Sequence, residues 1–279
     1  MALSPTSIKP LQSAKETLLG MTVALEQRFG CVPRNDLNTT LNKKFNVFED
    51  RLPVNPLYTQ YFTYGIGGRL NDADNLTSAQ PVLGTNMAPY KMRPFRAVPL
   101  EQALDEETRA KYALREVRTI DGVPYELWWL KRIEFPSSSV AYTYTDPTSG
   151  TVETYEIDYS NLSPTPPVAD DNGLIVDVSD AISIVVPGIL TLTGEEIMEA
   201  ISVLDAGDMR NAVVSEIGFV SASTERVNRA DVNGTPFSYD EAILAQMVNQ
   251  YNWVGTSFVS AQDSWTRAMS FTMKNQINS

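Results

Sequence analysis

The side chains that most often do chemistry in proteins are scarce in this sequence. Its 279 residues include no histidine, and the single cysteine is Cys31. Histidine is the commonest general base and a preferred zinc ligand, and an intrachain disulfide needs two cysteines. We therefore predict no enzymatic activity, no catalytic residue, no metal site and no cofactor, and we expect Cys31 to be a free thiol.

Three carboxylates and one glycine-rich loop are further candidates for chemistry. Glu195, Glu196 and Glu199 lie close together on a predicted helix, and paired carboxylates can do acid–base work. The first two, however, lie in the first turn, where acidic groups stabilise the helix dipole. The loop Tyr64-Gly-Ile-Gly-Gly-Arg69 lacks the spacing and the Lys-Ser/Thr pair of a phosphate-binding loop. Tight backbone turns explain its glycines.

Two adjacent tryptophans, Trp128 and Trp129, stand beside Lys131 and Arg132 on a predicted strand. Neighbouring residues of a strand point to opposite faces of the sheet, so one tryptophan should need a cover from outside its own core. Tryptophan and arginine are enriched at interface anchors, and aromatic–basic patches also bind sugars or single-stranded nucleic acid. A subunit interface, the chain's own core and a ligand site all stay open; we predict the interface.

A second aromatic–basic group supports the same interpretation. Arg93, Phe95 and Arg96 are flanked by prolines at positions 94 and 99. The predicted interface residues are therefore Arg93, Phe95, Arg96, Trp128 and Trp129.

Charge is unevenly distributed along the chain, whose formal net charge is −12. Residues 1–140 hold 17 Lys+Arg and 15 Asp+Glu, whereas the remainder hold 5 and 19. A near-neutral half followed by an acidic half suits electrostatic association between copies, although a solvated acidic surface explains the same pattern. Such a chain is a poor candidate for gripping duplex phosphates, and its lack of an apolar run of about 18 residues predicts no membrane span.

Hydrophobic periodicity predicts an α+β fold, in which antiparallel β-hairpins combine with several short amphipathic helices and long extended segments. Helices are predicted over 11–29, 101–115, 193–206 and 238–251, the last two opened by capping boxes. Hairpins are predicted with turns at Asp121-Gly122 and 146–150, and strands at 174–192 and 213–220. Residues 50–98, rich in proline, glycine and aromatic residues, are predicted to be ordered extended chain on a surface that neighbouring subunits can supply.

These elements divide the chain into four predicted regions. An N-terminal helical arm covers 1–49, and an extended aromatic and proline-rich segment with β-hairpins covers 50–159. A linker occupies 160–173, because it combines three prolines with a polar run. A C-terminal α+β region covers 174–279.

Several segments between about 85 and 250 resemble virion structural proteins of large tailed bacteriophages. They are Pro94-Phe-Arg-Ala-Val-Pro99, 104–115, the hairpin Ile120–Arg132, Thr193–Ile201 and Val214-Ser-Glu-Ile-Gly-Phe-Val220. A Ser-Glu-Ile-Gly strand is similar to one found in baseplate-wedge and tail-fibre attachment proteins. The resemblance carries no catalytic residue. It implies a multi-copy component of the tail, baseplate or neck.

The resemblance and the residue-level reasoning lead to one expectation about function. We expect a non-enzymatic subunit of the tail or baseplate wedge, made in the host cytoplasm, located in the virion and partnered by its own copies and other virion proteins. A neck or collar connector and a carbohydrate- or receptor-binding module, with Trp128, Trp129 and tyrosines as stacking platforms, are the alternatives.

Overall fold

Antiparallel strands form most of the described fold. The structure, a computed structural model, describes residues 12–16, 20, 23–24, 27, 41–47, 57–71, 77–102, 104–135, 141–156, 166, 168, 181–231 and 233–273. The strands are β1 (Gln12–Glu16), β2 (Tyr58–Gly65), β3 (Arg69–Asn71), β4 (Thr77–Ala79), β5 (Met92–Arg93), β6 (Arg96–Pro99), β7 (Tyr112–Ile120), β8 (Val123–Arg132), β9 (Ala141–Thr145), β10 (Val152–Thr154), β11 (Ile182–Thr193), β12 (Val213–Ala230), β13 (Pro236–Ser257) and β14 (Ser264–Met273). The α-helices with described bounds are α1 (Leu41–Lys44), α2 (Glu106–Arg109) and α3 (Gly194–Leu204), and a short 3-10 helix covers Met209–Asn211.

The predicted α+β class with several amphipathic helices is wrong, because the described residues are mainly β. Of the helices above, α3 has 11 residues, while α1 and α2 have 4 residues each. The main sheet has the order β1-β13-β12-β2-β8-β6, with β5 paired to β2 and β7 paired to β8. Its longest strands are β12 with 18 residues and β13 with 22.

The helix predicted over 238–251 is wrong, because these residues lie within β13. That strand pairs with β12 on one edge and β1 on the other, and residues 241–248 are all buried. A strand covered on both faces loses the polar–apolar alternation by which a strand is recognised. Leu244 also has a φ of 51°, and the pairing with β12 shifts register nearby, so the apolar pattern falls out of phase.

Two other predicted helices are wrong over part of their length. In the segment 11–29, Gln12–Glu16 form β1 against β13, positions 20, 23, 24 and 27 are helical, and the rest lie outside the described residues. In the segment 101–115, the helix is only Glu106–Arg109, capped by Asp105, whose side chain accepts from the N–H of Thr108. The chain then enters β7 at Tyr112, because pairing with β8 satisfies its backbone groups.

The locally encoded elements are confirmed. Asp121 and Gly122 have φ values of 50° and 83°, the left-handed geometry of a type I′ turn between β7 and β8. The second hairpin, β9 and β10, also forms. Thr193 and Glu196 make the reciprocal bonds of a capping box at the start of α3, and β12 contains the predicted strand 213–220.

The aromatic side chains of the segment 50–98 pack mainly within the chain itself. Tyr61, Phe62 and Tyr64 are buried on β2, which lies between β12 and β8 in the main sheet. The expectation that this segment borrows a surface from neighbouring subunits is therefore wrong for these three residues. The structure describes positions 57–71 and 77–98 of it.

The chain forms two compact units. The first comprises Met1–Ile133 with Leu192–Trp265, and the second comprises Glu134–Thr191 with Thr266–Ser279. The main sheet belongs to the first unit, and the second contains most of a sheet with the order β10-β9-β11-β14. The four predicted regions stay a prediction; positions 160–173 lie outside the described residues except for 166 and 168, as do 174–180 of the predicted strand and Cys31.

Candidate functional site

Trp128 and Trp129 are both buried inside the first unit, on opposite faces of β8. Trp128 is fully buried, with its ring edge-on to Tyr239 at 5.0 Å between centroids. Trp129 stacks on Phe45 at 4.1 Å and donates its indole N–H to Glu116 at 2.9 Å. The expectation that one tryptophan lacks a cover within its own chain is wrong, because this sheet is covered on both faces at β8.

Arg93 and Arg96 form ion pairs with the acidic side chains of the α3 region. Arg93 donates from Nη2 to Asp205 Oδ1 at 2.7 Å and from Nε to Oδ2 at 3.0 Å. Arg96 donates from Nη2 to Glu199 Oε2 at 2.9 Å. Both arginines thus make two-nitrogen contacts with a carboxylate, the strong geometry for this pair.

A third ion pair lies deeper beside the same helix. Lys131 Nζ on β8 lies 2.6 Å from Glu196 Oε1, and Tyr112 donates its hydroxyl to that oxygen, also at 2.6 Å. The remaining predicted residue, Phe95, is fully buried, with edge-on contacts to Phe62 at 5.1 Å and to Tyr64 at 5.0 Å. We call the three pairs Arg93–Asp205, Arg96–Glu199 and Lys131–Glu196 the α3 ion-pair cluster.

The electrostatics of the α3 ion-pair cluster follow from its burial. Burial acts to lower the pKa of Arg96, but the hydrogen bonds and negative charge of Glu199 outweigh it and raise the pKa. Burial raises the pKa of Tyr112, and the charge of Glu196 raises it further. Arg96 therefore stays a cation, and Tyr112 stays a neutral hydrogen-bond donor.

The charge asymmetry of the sequence has its counterpart within one chain. The three cations of the α3 ion-pair cluster come from the first 140 residues, and the three carboxylates come from the acidic remainder. The predicted interface role of Arg93, Phe95, Arg96, Trp128 and Trp129 stays a prediction. Each of these side chains nevertheless has partners inside its own chain.

Two glutamates, the half-buried Glu199 and the fully buried Glu241, bind backbone N–H groups outside the strand ladders. Glu199 accepts from the N–H of Ala97 on β6. Glu241 on β13 accepts from the N–H groups of Leu114 and, at 3.1 Å, of Arg115 on β7. Unpaired strand N–H groups invite pairing with other chains, and these carboxylates occupy them. Sequence reasoning missed Glu241 because it placed this residue in a helix cap.

The loop 81–91 is the clearest candidate for contact with a partner, and we call it the Leu83 loop. Its side chains of Leu83, Met87 and Tyr90 are 55%, 43% and 40% exposed. The Tyr90 hydroxyl donates to the carbonyl of Pro81 at 2.7 Å, and the N–H of Asn86 donates to the carbonyl of Leu83 at 3.0 Å. These bonds hold apolar side chains in solvent on a fixed backbone.

Buried amides anchor the Leu83 loop to β13. Asn86 Nδ2 donates to Gln250 Oε1 at 2.9 Å, and Gln250 Nε2 donates to Asn252 Oδ1 at the same distance. Asn252 in turn donates to the carbonyl of Gln80 at 3.1 Å. Gln250 and Asn252 are fully buried, so the network is shielded from water. The sequence shows Gln250 and Asn252 as polar residues within an apolar run, but it does not show that their partners are Asn86 and Gln80.

Within the part of the chain that the structure describes, no three His, Cys, Asp or Glu side chains are grouped so that they could hold a metal ion. The described helices also include none that is long and apolar enough to cross a membrane.

Comparison with known proteins gives one result. Residues 4–266 match a family of unknown function, DUF7208. No curated protein and no solved structure matches the chain.

Proposed function

We propose that this chain, which belongs to the DUF7208 family, is a non-enzymatic structural subunit of a tailed-bacteriophage virion, assembled in multiple copies in the tail or baseplate wedge. The observation that carries the assembly role is the Leu83 loop, where Leu83, Met87 and Tyr90 are exposed on a hydrogen-bonded backbone. A surface that is already ordered loses little conformational entropy when it binds. Exposed apolar groups that recur within one loop are typical of interaction sites.

The sequence resemblance supports the virion assignment. Its segments Pro94–Pro99, Ile120–Arg132 and Val214–Val220 contribute to β6, to β7 and β8, and to β12 of the main sheet. The other two similar segments, 104–115 and Thr193–Ile201, contain α2 and part of α3, so the similar sequence lies in elements of the first compact unit. The carbohydrate-binding alternative is weakened, because Trp128 and Trp129 are buried and offer no face for stacking.

The location is tested by mass spectrometry of purified virions from the phage that encodes the chain. Peptides of this chain in stoichiometric amounts, retained after extensive washing and removed only when tails dissociate, are expected. Their absence from intact virions contradicts the virion assignment, and their recovery with isolated necks rather than tails moves the position to the collar.

The assembly role is tested by sedimentation of the full chain over a wide concentration range, alone and with tail proteins from the same virion. Leu83→Asp is expected to weaken association by about thirtyfold, the effect of losing an anchor worth about 2 kcal/mol. Val259→Asp is the matched control, because Val259 is 79% exposed on a different loop. Equal association by wild type and Leu83→Asp, or equal loss by both variants, contradicts the assignment to this loop.

A further inference from the structure

A cavity of about 340 Å³ lies beside the glycine-rich loop, and its lining is basic. Arg69, Lys91 and Arg210 line it together with the amide side chains of Gln80 and Asn211. The convergence of three cations is unexpected in a chain with a net charge of −12. The sequence does not reveal the site, because its three cations come from three separate segments of the chain.

The three cations differ in how far their charge is already compensated. Arg210 pairs with Asp208, with 2.6 Å between Nη2 and Oδ2. Within the described residues, neither Arg69 nor Lys91 forms an ion pair or a side-chain hydrogen bond. Arg69 and Lys91 therefore supply the free positive charge of the cavity, and Arg210 contributes less.

The glycine-rich loop shapes this cavity without acting as a phosphate-binding loop. Its N–H groups have other partners: Ile66 donates to the carbonyl of Lys91 at 3.0 Å, and Gly68 donates to Ser215 Oγ at 3.0 Å. A Cβ added at Gly65 or Gly68 would collide with the side chain of Glu216. The glycines thus make room for a buried glutamate, and an anion would have to be held by the side chains across the cavity.

We propose that this cavity binds the phosphate group of a small phosphorylated molecule. Guanidinium and ammonium groups are the side chains that recognise phosphate, the first through two parallel N–H bonds and the second as a point charge. The amides of Gln80 and Asn211 add uncharged donors. The volume lies at the lower end of the range for small-molecule sites, about 300–1,000 Å³, which suits a compact ligand. This proposal goes beyond the proposed assembly role, because it concerns a small-molecule ligand, although Lys91 is also the last residue of the Leu83 loop.

Glu216 gives the cavity a second, opposing charge. Its carboxylate lies close to Gly67, which also lines the cavity. The groups that act on it are Lys44 of α1 and the backbone N–H groups of Gly67, Tyr90 and Lys91. A negative Glu216 opposes an anion in the cavity, so removing its charge should strengthen phosphate binding.

Isothermal titration of the full chain with sodium phosphate, sodium pyrophosphate and ATP tests the site. Lys91→Gln and Arg69→Gln are each expected to weaken binding about tenfold or more, the effect of losing a hydrogen bond to a charged group. Arg210→Gln should weaken it less, and Glu216→Gln should strengthen it at alkaline pH. Arg118→Gln is the control, since Arg118 pairs with Glu116 away from the cavity and should leave binding unchanged.

The three probes separate the possible sources of the phosphate group. Equal affinity for all three indicates a site for one phosphate group, and tighter binding of ATP indicates a phosphorylated nucleotide; both support the proposal. No measurable binding of any probe overturns it, as does an equal loss in Lys91→Gln and Arg118→Gln. Because Lys91 is exposed, its substitution leaves the fold intact even where Arg69→Gln does not. Sedimentation distinguishes the cavity from the assembly surface. If Lys91→Gln disrupts self-association but phosphate still binds, Lys91 belongs to the assembly surface and the proposed phosphate site is overturned.

Discussion

One buried carboxylate, Glu216, should contribute strongly to the pH dependence of the free energy of unfolding. This side chain is fully buried, and within the described residues neither of its carboxylate oxygens has a hydrogen-bond partner. Nearby N–H groups of Gly67, Tyr90 and Lys91 favour the ionised form, but they act as dipoles without bonding geometry. Burial prevails and raises the pKa of Glu216 from 4.5 to about 7.

The size of the effect follows from this pKa. Each pKa unit corresponds to about 1.4 kcal/mol, so the rise from 4.5 to about 7 is equivalent to about 3 kcal/mol. Since the folded state holds the proton more tightly than the unfolded state, the contribution to stability is fully present below the unfolded pKa. It is lost as pH rises through about 7. Above that pH the fold carries a buried charge.

The substitution Glu216→Gln isolates this contribution, because glutamine mimics the protonated acid. We expect the difference in unfolding free energy, variant minus wild type, to increase by about 3 kcal/mol between about pH 4.5 and pH 8. Glu107→Gln is the control: the Glu107 side chain is 90% exposed, and its difference should stay nearly flat.

Urea unfolding followed by tryptophan fluorescence measures the relevant transition. The four tryptophans of the chain, Trp128, Trp129, Trp253 and Trp265, all belong to the first compact unit, as does Glu216. The signal therefore reports the unit in which the substitution lies, even where the second unit unfolds separately. A difference between Glu216→Gln and wild type that does not change with pH would refute the reasoning.

Two further predictions concern the packing of the first unit and use the same fluorescence assay. Lys131→Met should destabilise this unit by about 3–5 kcal/mol, because Glu196 then stays buried without its cation. The double variant Lys131→Met/Glu196→Gln should recover part of the lost stability. If it recovers none, the packing of the Lys131 side chain matters more than its charge. Trp128→Ala and Trp129→Ala should each destabilise the unit by about 3–5 kcal/mol, the usual effect of truncating a buried aromatic residue. A folded, equally stable variant of either kind would mean that the tryptophan is not a core residue and would return it to the predicted interface.

The parts of the fold that could be predicted from the sequence are those encoded within a few residues. The Asp121-Gly122 turn needs two positive φ angles, which asparagine, aspartate and glycine tolerate best. The capping box of Thr193 and Glu196 satisfies its own backbone groups within one turn. Neither feature depends on contacts with distant parts of the chain, so the local sequence pattern is sufficient to predict both.

The rest of the fold depends on which segments become neighbours. The pattern of 238–251 fits a helix as an isolated segment, and only the flanking strands β1 and β12 make β13 the better solution. The contact between Arg96 and Glu199 joins residues 103 positions apart. The composition shows that one half of the chain is acidic. It does not show whether the carboxylates form ion pairs with cations of the same chain or of another copy.

Many charged and aromatic side chains of this protein are already paired or covered within the chain, which limits the surfaces that could bind a partner. The carboxylates of Glu196, Glu199 and Asp205 are paired with cations of their own chain, and both tryptophans of β8 are covered. Among the described residues, we assign binding to the Leu83 loop and to the Arg69–Lys91 side of the basic cavity. The two features meet at the segment 80–91, because Gln80 and Lys91 line the cavity at either end of the loop. This ordered segment presents apolar side chains along its length and the uncompensated positive charge of Lys91 at one end. Recognition should therefore be concentrated there, and substitutions of its exposed residues should alter binding with little effect on stability.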